Sequence, residues 1–335
     1  MTYYRLLKFK FLILILIFIT YTVNSQSKQE KLKLIKTISL PNVHGKFDHI
    51  AVDVKNSKLF LAAKGNNSVE VVDLINDTIC YSIKNVSAPQ GILFKQEDNI
   101  IIVCSGGDGT LKGFDGTDYK LRFSLDLGSS EADNIRYSSI RQRIYVAFGN
   151  GAIAVIDANS YKKLSEISCL AHPEAFSLDS MNNKMWINVP DKGLIKVVDI
   201  DSEKEIDQWK TASQQDNFPM VFIEKKQKII VASRLKSEIS ILDAKTGKLL
   251  QFLNCDSDPD AMYYDDKSDK IFLSCGGGSI YIFYNISADI IEKPTIISTR
   301  KGARTCKWIP IMNTLFVALP ETNGEIAELR LYSLE

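Results

Sequence analysis

Alternating apolar and polar positions run through most of the chain beyond residue 30, and six segments display one grammar: 59–74, 101–116, 144–158, 185–200, 229–244 and 271–285. Each opens with a stretch rich in Val, Ile, Phe and Tyr that usually closes on small residues. A turn of Gly, Asn, Asp or Lys follows, then a second alternating stretch that in most copies ends in Asp. A hydrophobic period near 2, punctuated by turn residues about every ten positions, predicts short antiparallel strands rather than helices.

The closing acids give the pattern a length. Asp73, Asp115, Asp157 and Asp199 are spaced 42 residues apart, and Asp243 follows after 44. Four short strands in such a repeat make one blade of a propeller. Another strand precedes each first stretch, as in His49–Asp53 and Ala261–Asp265, and these approaches begin near 48, 90, 134, 174, 219, 260 and 304. The predicted fold class is therefore all-β, a seven-bladed β-propeller. The last blade is one strand short at Leu331-Tyr332, and the alternating residues 33–40 supply the missing strand. An open ring would leave two unpaired strand edges, so this N-terminal strand is expected to close it. The repeated Asp residues are read as turn starters, because a carboxylate at a strand end bonds backbone N–H groups two residues on.

Residues 1–25 break the pattern. Arg5, Lys8 and Lys10 form a basic head, Phe11 to Ile19 is unbroken apolar sequence, and a polar stretch ends in small residues at Val23 and Ser25. About ten apolar residues are too few to cross a ~30 Å hydrocarbon layer but suit a secretory signal. The predicted organisation is a signal peptide over 1–25, a short linker over 26–32 and the propeller over 33–335, in an exported, periplasmic or secreted protein. An uncleaved N-terminal anchor is the alternative. No membrane span is expected after cleavage.

Charge and cysteines narrow the chemistry. The chain carries 41 Lys and Arg against 40 Asp and Glu. Cleavage removes three basic residues and no acidic one, so +1 becomes −2. No basic stripe is present to hold phosphates, which excludes nucleic acid as a partner. Six scattered cysteines without a C-x-x-C pair suggest neither a zinc cage nor a dithiol centre, and are read as structural thiols; export leaves room for one or two disulfides. The glycine clusters 106–109 and 276–278 lie between strands and read as hairpin turns, not phosphate loops. Trp186, Trp209 and Trp308 fall in strand patterns and are expected to pack between blades.

In a propeller the loop leading to each blade's first strand opens on one face of the central funnel. Those loops carry Asp48, His49, Gln90, Asp133, Asn134, Arg136, His172, Glu174, Asn217, Asp258, Asp260 and Arg304, which are the candidate ligand-binding residues. Only three histidines exist, and two of them fall in this set, where imidazole serves as metal ligand or general base. A divalent metal is the cofactor that His49, His172 and Glu174 would suit. Blades 1 and 4 stand nearly opposite, so one ion reaches both imidazoles only in a narrow funnel. A ligand spanning the funnel between His49, His172, Arg136 and Arg304 is easier to build, and guanidinium forks point to a small polar or anionic one.

The repeats also resemble a known family. Leu59-Phe60-Leu61-Ala62-Ala63 followed by Ser68–Asp73 is similar to the YVTN repeat, which implies a seven-bladed exported propeller. The resemblance loosens in blades 6 and 7, where Tyr284 and Tyr332 replace the closing Asp. Phe47–His49, Pro89–Gly91, Asp133–Tyr137, His172–Phe176, Asn217–Met220 and Gly302–Thr305 resemble bacterial exported YncE-like proteins. That subgroup implies a fold and a compartment but no reaction. Three functional readings follow: a binding module with a ligand at the funnel, a propeller enzyme such as a lyase or lactone hydrolase assisted by His49, His172 or a metal, and a protein-interaction scaffold acting through its rim.

Overall fold

In a computed structural model the strands form seven four-stranded antiparallel sheets, and the residues described are 31–335 apart from 150, 211–215, 287, 289, 290, 292 and 323. The predicted signal peptide thus lies outside the described residues. Twenty-eight strands, numbered in chain order, make the sheets. Blade 1 is β2 (Ile50–Asp53), β3 (Lys58–Ala63), β4 (Ser68–Asp73) and β5 (Thr78–Ile83). The innermost strands of blades 2 to 7 are β6 (Pro89–Lys95), β10 (Ala132–Ser138), β14 (Phe176–Asp179), β18 (Asn217–Ile223), β22 (Pro259–Asp265) and β26 (Thr305–Ile309). Each touches the next, and β2 touches β26, so the ring closes.

The closure is the predicted one. With β27 (Thr314–Leu319), blade 7 has the order β1-β28-β27-β26, with β1 (Leu32–Leu40) antiparallel to β28 (Ala327–Leu334), from Leu32 opposite Leu334 to Leu40 opposite Ala327. β1 thereby covers the edge of β28 and brings the last blade to four strands.

Burial explains the sequence pattern strand by strand. The second and third strands of a blade are covered on both faces by neighbouring blades, so β3 and β4 are buried almost throughout. The outermost strands meet solvent on one face, and alternation survives there. The core is seven apolar layers, one between each adjacent pair of blades. Trp186 packs at a tilt against Phe222 across blades 4 and 5, and Trp308 stacks on Phe272 across blades 7 and 6, with ring centroids 4.6 and 4.4 Å apart. Trp209 joins the layer between blades 4 and 5.

The repeated acids start turns, as read from the sequence. Asp73 Oδ1 accepts from the N–H groups of Ile75 and Asn76 at 2.9 and 3.0 Å, and Asp115, Asp157, Asp199 and Asp243 make the same kind of bond. All five carboxyls are held below their ordinary value, Asp73 by Lys58 first and then these bonds, Asp243 by the Thr246 hydroxyl first, and Asp115, Asp157 and Asp199 by the backbone N–H groups first. All six cysteines are free thiols, and Cys104 and Cys275 are buried on strands as small apolar residues. Among the described residues no helix is long and apolar enough to cross a membrane.

Candidate functional site

The innermost strands are irregular at their starts. In β6, β10, β18 and β22 the pairing with the second strand slips between Pro89 and Ile92, Ala132 and Ile135, Asn217 and Met220, and Pro259 and Ala261. The residues inside these bulges are Gln90 with Gly91, Asp133 with Asn134, Phe218 with Pro219, and Asp260. A bulge leaves its residue out of the ladder and re-aims the side chain, here toward the axis.

The result is a mouth chamber of about 150 Å3 to which every blade contributes. Blade 1 supplies Asp48, His49 and Lys64; blade 2, Gln90; blade 3, Glu131, Asp133 and Asn134; blade 4, Glu174; blade 5, Phe218 and Arg234; blade 6, Asp260; blade 7, Arg304. The innermost strands crowd here. A Cβ on Gly91 would sit 2.2 Å from the Asp133 carbonyl oxygen, so only glycine lets β6 pass that close to β10.

Half of the mouth is self-neutralised. Arg234 Nε meets Asp258 Oδ1 at 3.0 Å, and its Nη2 bonds Asp260. Arg304 reaches Asp258 at 3.2 Å and Asp260 at 3.5 Å. Arg234 also lies over the Phe218 ring, 3.5 Å from its centroid. These guanidiniums are already committed to carboxylates.

The other half is not. Asp48 Oδ1 lies 2.5 Å from His49 Nδ1, and Lys64 Nζ is 3.7 Å from Asp48 Oδ2. Burial alone would raise Asp48, but the His49 bond and the charges of His49, Lys64 and Arg304 hold it below its ordinary value. Lys64 also donates to Gln90, whose Nε2 donates to Glu131 Oε1 at 3.2 Å. His172 Nδ1 donates to the Gly149 carbonyl at 2.8 Å, which turns Nε2 toward Asp133 at 3.9 Å and Glu174 at 3.8 Å. Asp133 first, then the Gly149 carbonyl and the neighbouring acids, raise His172 against its burial. Burial first, then the charge of Asp133, push Glu174 up as well.

Asp133 is the hinge of the arrangement. Ligand atoms of Asp48, His49 and Asp133 lie within 4.8 Å of one another, and so do those of Asp133, His172 and Glu174. The funnel is narrow enough for one carboxylate to reach both histidines' groups. A His fixed at Nδ1 by a carbonyl, with Nε2 facing carboxylates, is a common metal-ligand geometry.

Eleven of the twelve sequence candidates have described side chains; that of Asn217 lies outside the described residues. Arg136 does not join the mouth: one residue past the bulged pair and Ile135, it lies in a lower chamber of the channel. Arg304 does join it, tied to Asp258 and Asp260. The sequence reading missed Lys64, Glu131 and Arg234. Lys64 and Arg234 begin the turn after a second strand, which an antiparallel hairpin returns to the same face as the approach loops. The small residues Ala63 and Ser233 just before them were the available signal. A scan against protein-family models and a search of curated proteins return no match to this chain.

Proposed function

We propose that this chain is an exported, YVTN-type propeller that works as a binding module, taking a small polar ligand in the mouth of its channel. One observation carries the reading: all seven blades converge charged or hydrogen-bonding side chains on a single chamber, and bulges at four strand starts aim them there. The polarity of that chamber refines the ligand. Five carboxylates, Asp48, Glu131, Asp133, Glu174 and Asp260, line it against the three cations Lys64, Arg234 and Arg304, and the two arginines are paired already. This balance favours a ligand that presents positive charge, a divalent cation foremost, over the anion that arginines alone would suggest. The basic head and apolar run of residues 5–19 support export.

The test is elemental analysis and small-molecule mass spectrometry of natively purified protein, followed by titration with Mn2+ and Zn2+. The expected outcome is one tightly held divalent ion per chain and a metal-dependent rise in melting temperature, lost in Asp133→Asn because Asp133 belongs to both triads. A metal-free protein that titrates with neither ion refutes the reading.

A second reading, a metal-assisted propeller enzyme, is favoured by His172, whose anchored Nδ1 leaves Nε2 before Asp133 and Glu174. An ion there would polarise a bound carbonyl or activate water. Metal-dependent turnover of a lactone, abolished in His172→Ala, would move the protein to that class.

A further inference from the structure

Below the mouth the innermost strands enclose a second chamber of about 560 Å3, within the ~300–1,000 Å3 typical of small-molecule sites. Its walls combine polar groups with an apolar surface to which Ile92, Leu178, Met220, Phe222 and Met262 contribute. Two cations project between these walls, Arg136 from β10 and Lys307 from β26. Arg136 Nη1 donates to the Ile135 carbonyl at 2.8 Å, and the guanidinium lies 5.4 Å from the Phe176 ring centroid. Lys307 Nζ stands 4.7 Å from the Tyr263 ring centroid. Among the described residues neither cation is paired with a carboxylate: Asp133 acts on Arg136 only from a distance, and no carboxylate stabilises Lys307.

Two like charges in a partly apolar chamber are a costly arrangement without a counter-ion. Burial, and then repulsion by Arg136, bring Lys307 down to about 8; burial lowers Arg136 in the same direction. An anionic group facing both would offset that cost, and a guanidinium beside an ammonium is a donor set that oxyanions accept.

We propose that this lower chamber binds an organic acid, its carboxylate or equivalent oxyanion facing Arg136 and Lys307 and its apolar, aromatic or branched body against Phe222, Met262 and Tyr263. The site goes beyond the mouth. The two chambers share His49, Asn134, Ala175 and Asp260 in their linings, yet carry opposite charge, so one ligand polarity does not serve both.

The test is titration calorimetry on the full chain with three probes: 3-phenylpropionate, its neutral amide, and acetate. Phenylpropionate is expected to bind, and the amide, which lacks the charge, and acetate, which lacks the body, at least about tenfold more weakly. Lys307→Met keeps the apolar stem and removes the charge, and is expected to weaken phenylpropionate binding about tenfold, as is Arg136→Gln. A second measurement uses the unaltered protein. Lys307 is charged below about 8, so affinity falls as the pH rises through that value. The other groups around Lys307 do not mask this: a guanidinium such as that of Arg136 keeps its proton in proteins even when burial lowers it, and burial raises the Tyr263 hydroxyl and the Cys306 thiol. His49 and Asp260 sit at the waist above. Equal affinity for acid and amide, equal affinity for acetate, or a flat pH profile overturns the proposal. Divalent-metal binding without a phenylpropionate response refutes this site and leaves the mouth reading standing; the reverse pattern upholds this site and refutes the other.

Discussion

The closing strand can be tested by perturbing its buried and its exposed side chains separately. Ile38 and Leu40 of β1 are 1% and 0% exposed and belong to the apolar layer between blades 7 and 1, with Leu59, Leu61, Phe316 and Leu329. On the same strand Leu34 and Ile35 are 45% and 51% exposed. Truncating a buried Leu or Ile to Ala costs roughly 2–5 kcal/mol, as lost transfer energy plus the cavity left behind. Ile38→Ala and Leu40→Ala together are two positions apart in one layer and are not strictly additive. Taken at about 2 kcal/mol each, the pair removes about 4 kcal/mol from a domain whose whole stability is of order 5–15 kcal/mol. At this chain length that is a fall in melting temperature on the order of 10 °C. Leu34→Ala with Ile35→Ala touches only exposed side chains and is expected to stay within about 0.5 kcal/mol per site of the parent. Differential scanning calorimetry of the two double variants gives the comparison, and a protein lacking residues 33–40 should melt lower than either. A buried-pair variant that melts with the parent, or an exposed-pair variant that falls as far, would show that β1 does not hold the ring shut.

Three other outcomes follow from particular contacts. Gly91→Ala places a Cβ against the Asp133 carbonyl, so it should lower stability by about 1–3 kcal/mol and weaken ligand binding at the mouth, both readable by thermal shift with and without Mn2+. The turn acids have depressed folded values, so their contribution is present above the ordinary Asp value of 3.8 and is lost as the pH falls through the lowered one; Asp199→Asn should melt below the parent near neutrality and converge with it in acid. Brief iodoacetamide treatment of the folded protein should label Cys80, the exposed thiol, and spare the buried Cys104, Cys169, Cys275 and Cys306, as peptide mapping would reveal; prompt labelling of Cys104 would contradict the packing of blades 2 and 3.

Blade number, blade length and ring closure were legible because each is a repeated local choice. Two-residue periodicity marks strands, and a turn acid recurs at a fixed interval. The face that carries the polar residues was legible too, since every approach loop opens on it. The depth of each residue was not. Arg136 reads as a neighbour of Asp133 and Asn134, but the bulge between Ala132 and Ile135 changes the register and leaves Arg136 in the lower chamber. Prolines at 89, 219 and 259 accompany three of the four bulges, where a missing N–H costs nothing in the ladder; they mark an irregularity without saying which way a side chain turns. Lys307 went unnoticed because it sits inside a strand rather than a loop, and only the closed ring makes the innermost strand a channel wall.

The charges separate by the direction in which their surroundings push them. Every turn acid is drawn toward its ionised form by local donors, led by Lys58 at Asp73, by the Thr246 hydroxyl at Asp243 and by backbone N–H groups at Asp115, Asp157 and Asp199. In the channel the directions divide: Asp48 and His172 are still drawn toward their charged forms by their partners, whereas four other groups go the opposite way. Burial drives Glu174 upward, and it drives Arg136, Arg234 and Lys307 downward, so each is moved toward its neutral form. Residues that only build a fold are not ordinarily held against their own ionisation, and groups strained in this way gather where a ligand completes the site. Of the four, Arg234 is already balanced by Asp258 and Asp260. The remaining three point to complementary ligands on their own levels, positive charge before Glu174 and Asp133, negative charge before Arg136 and Lys307. A propeller whose axis carried structural charge alone would have no reason to sort it by depth.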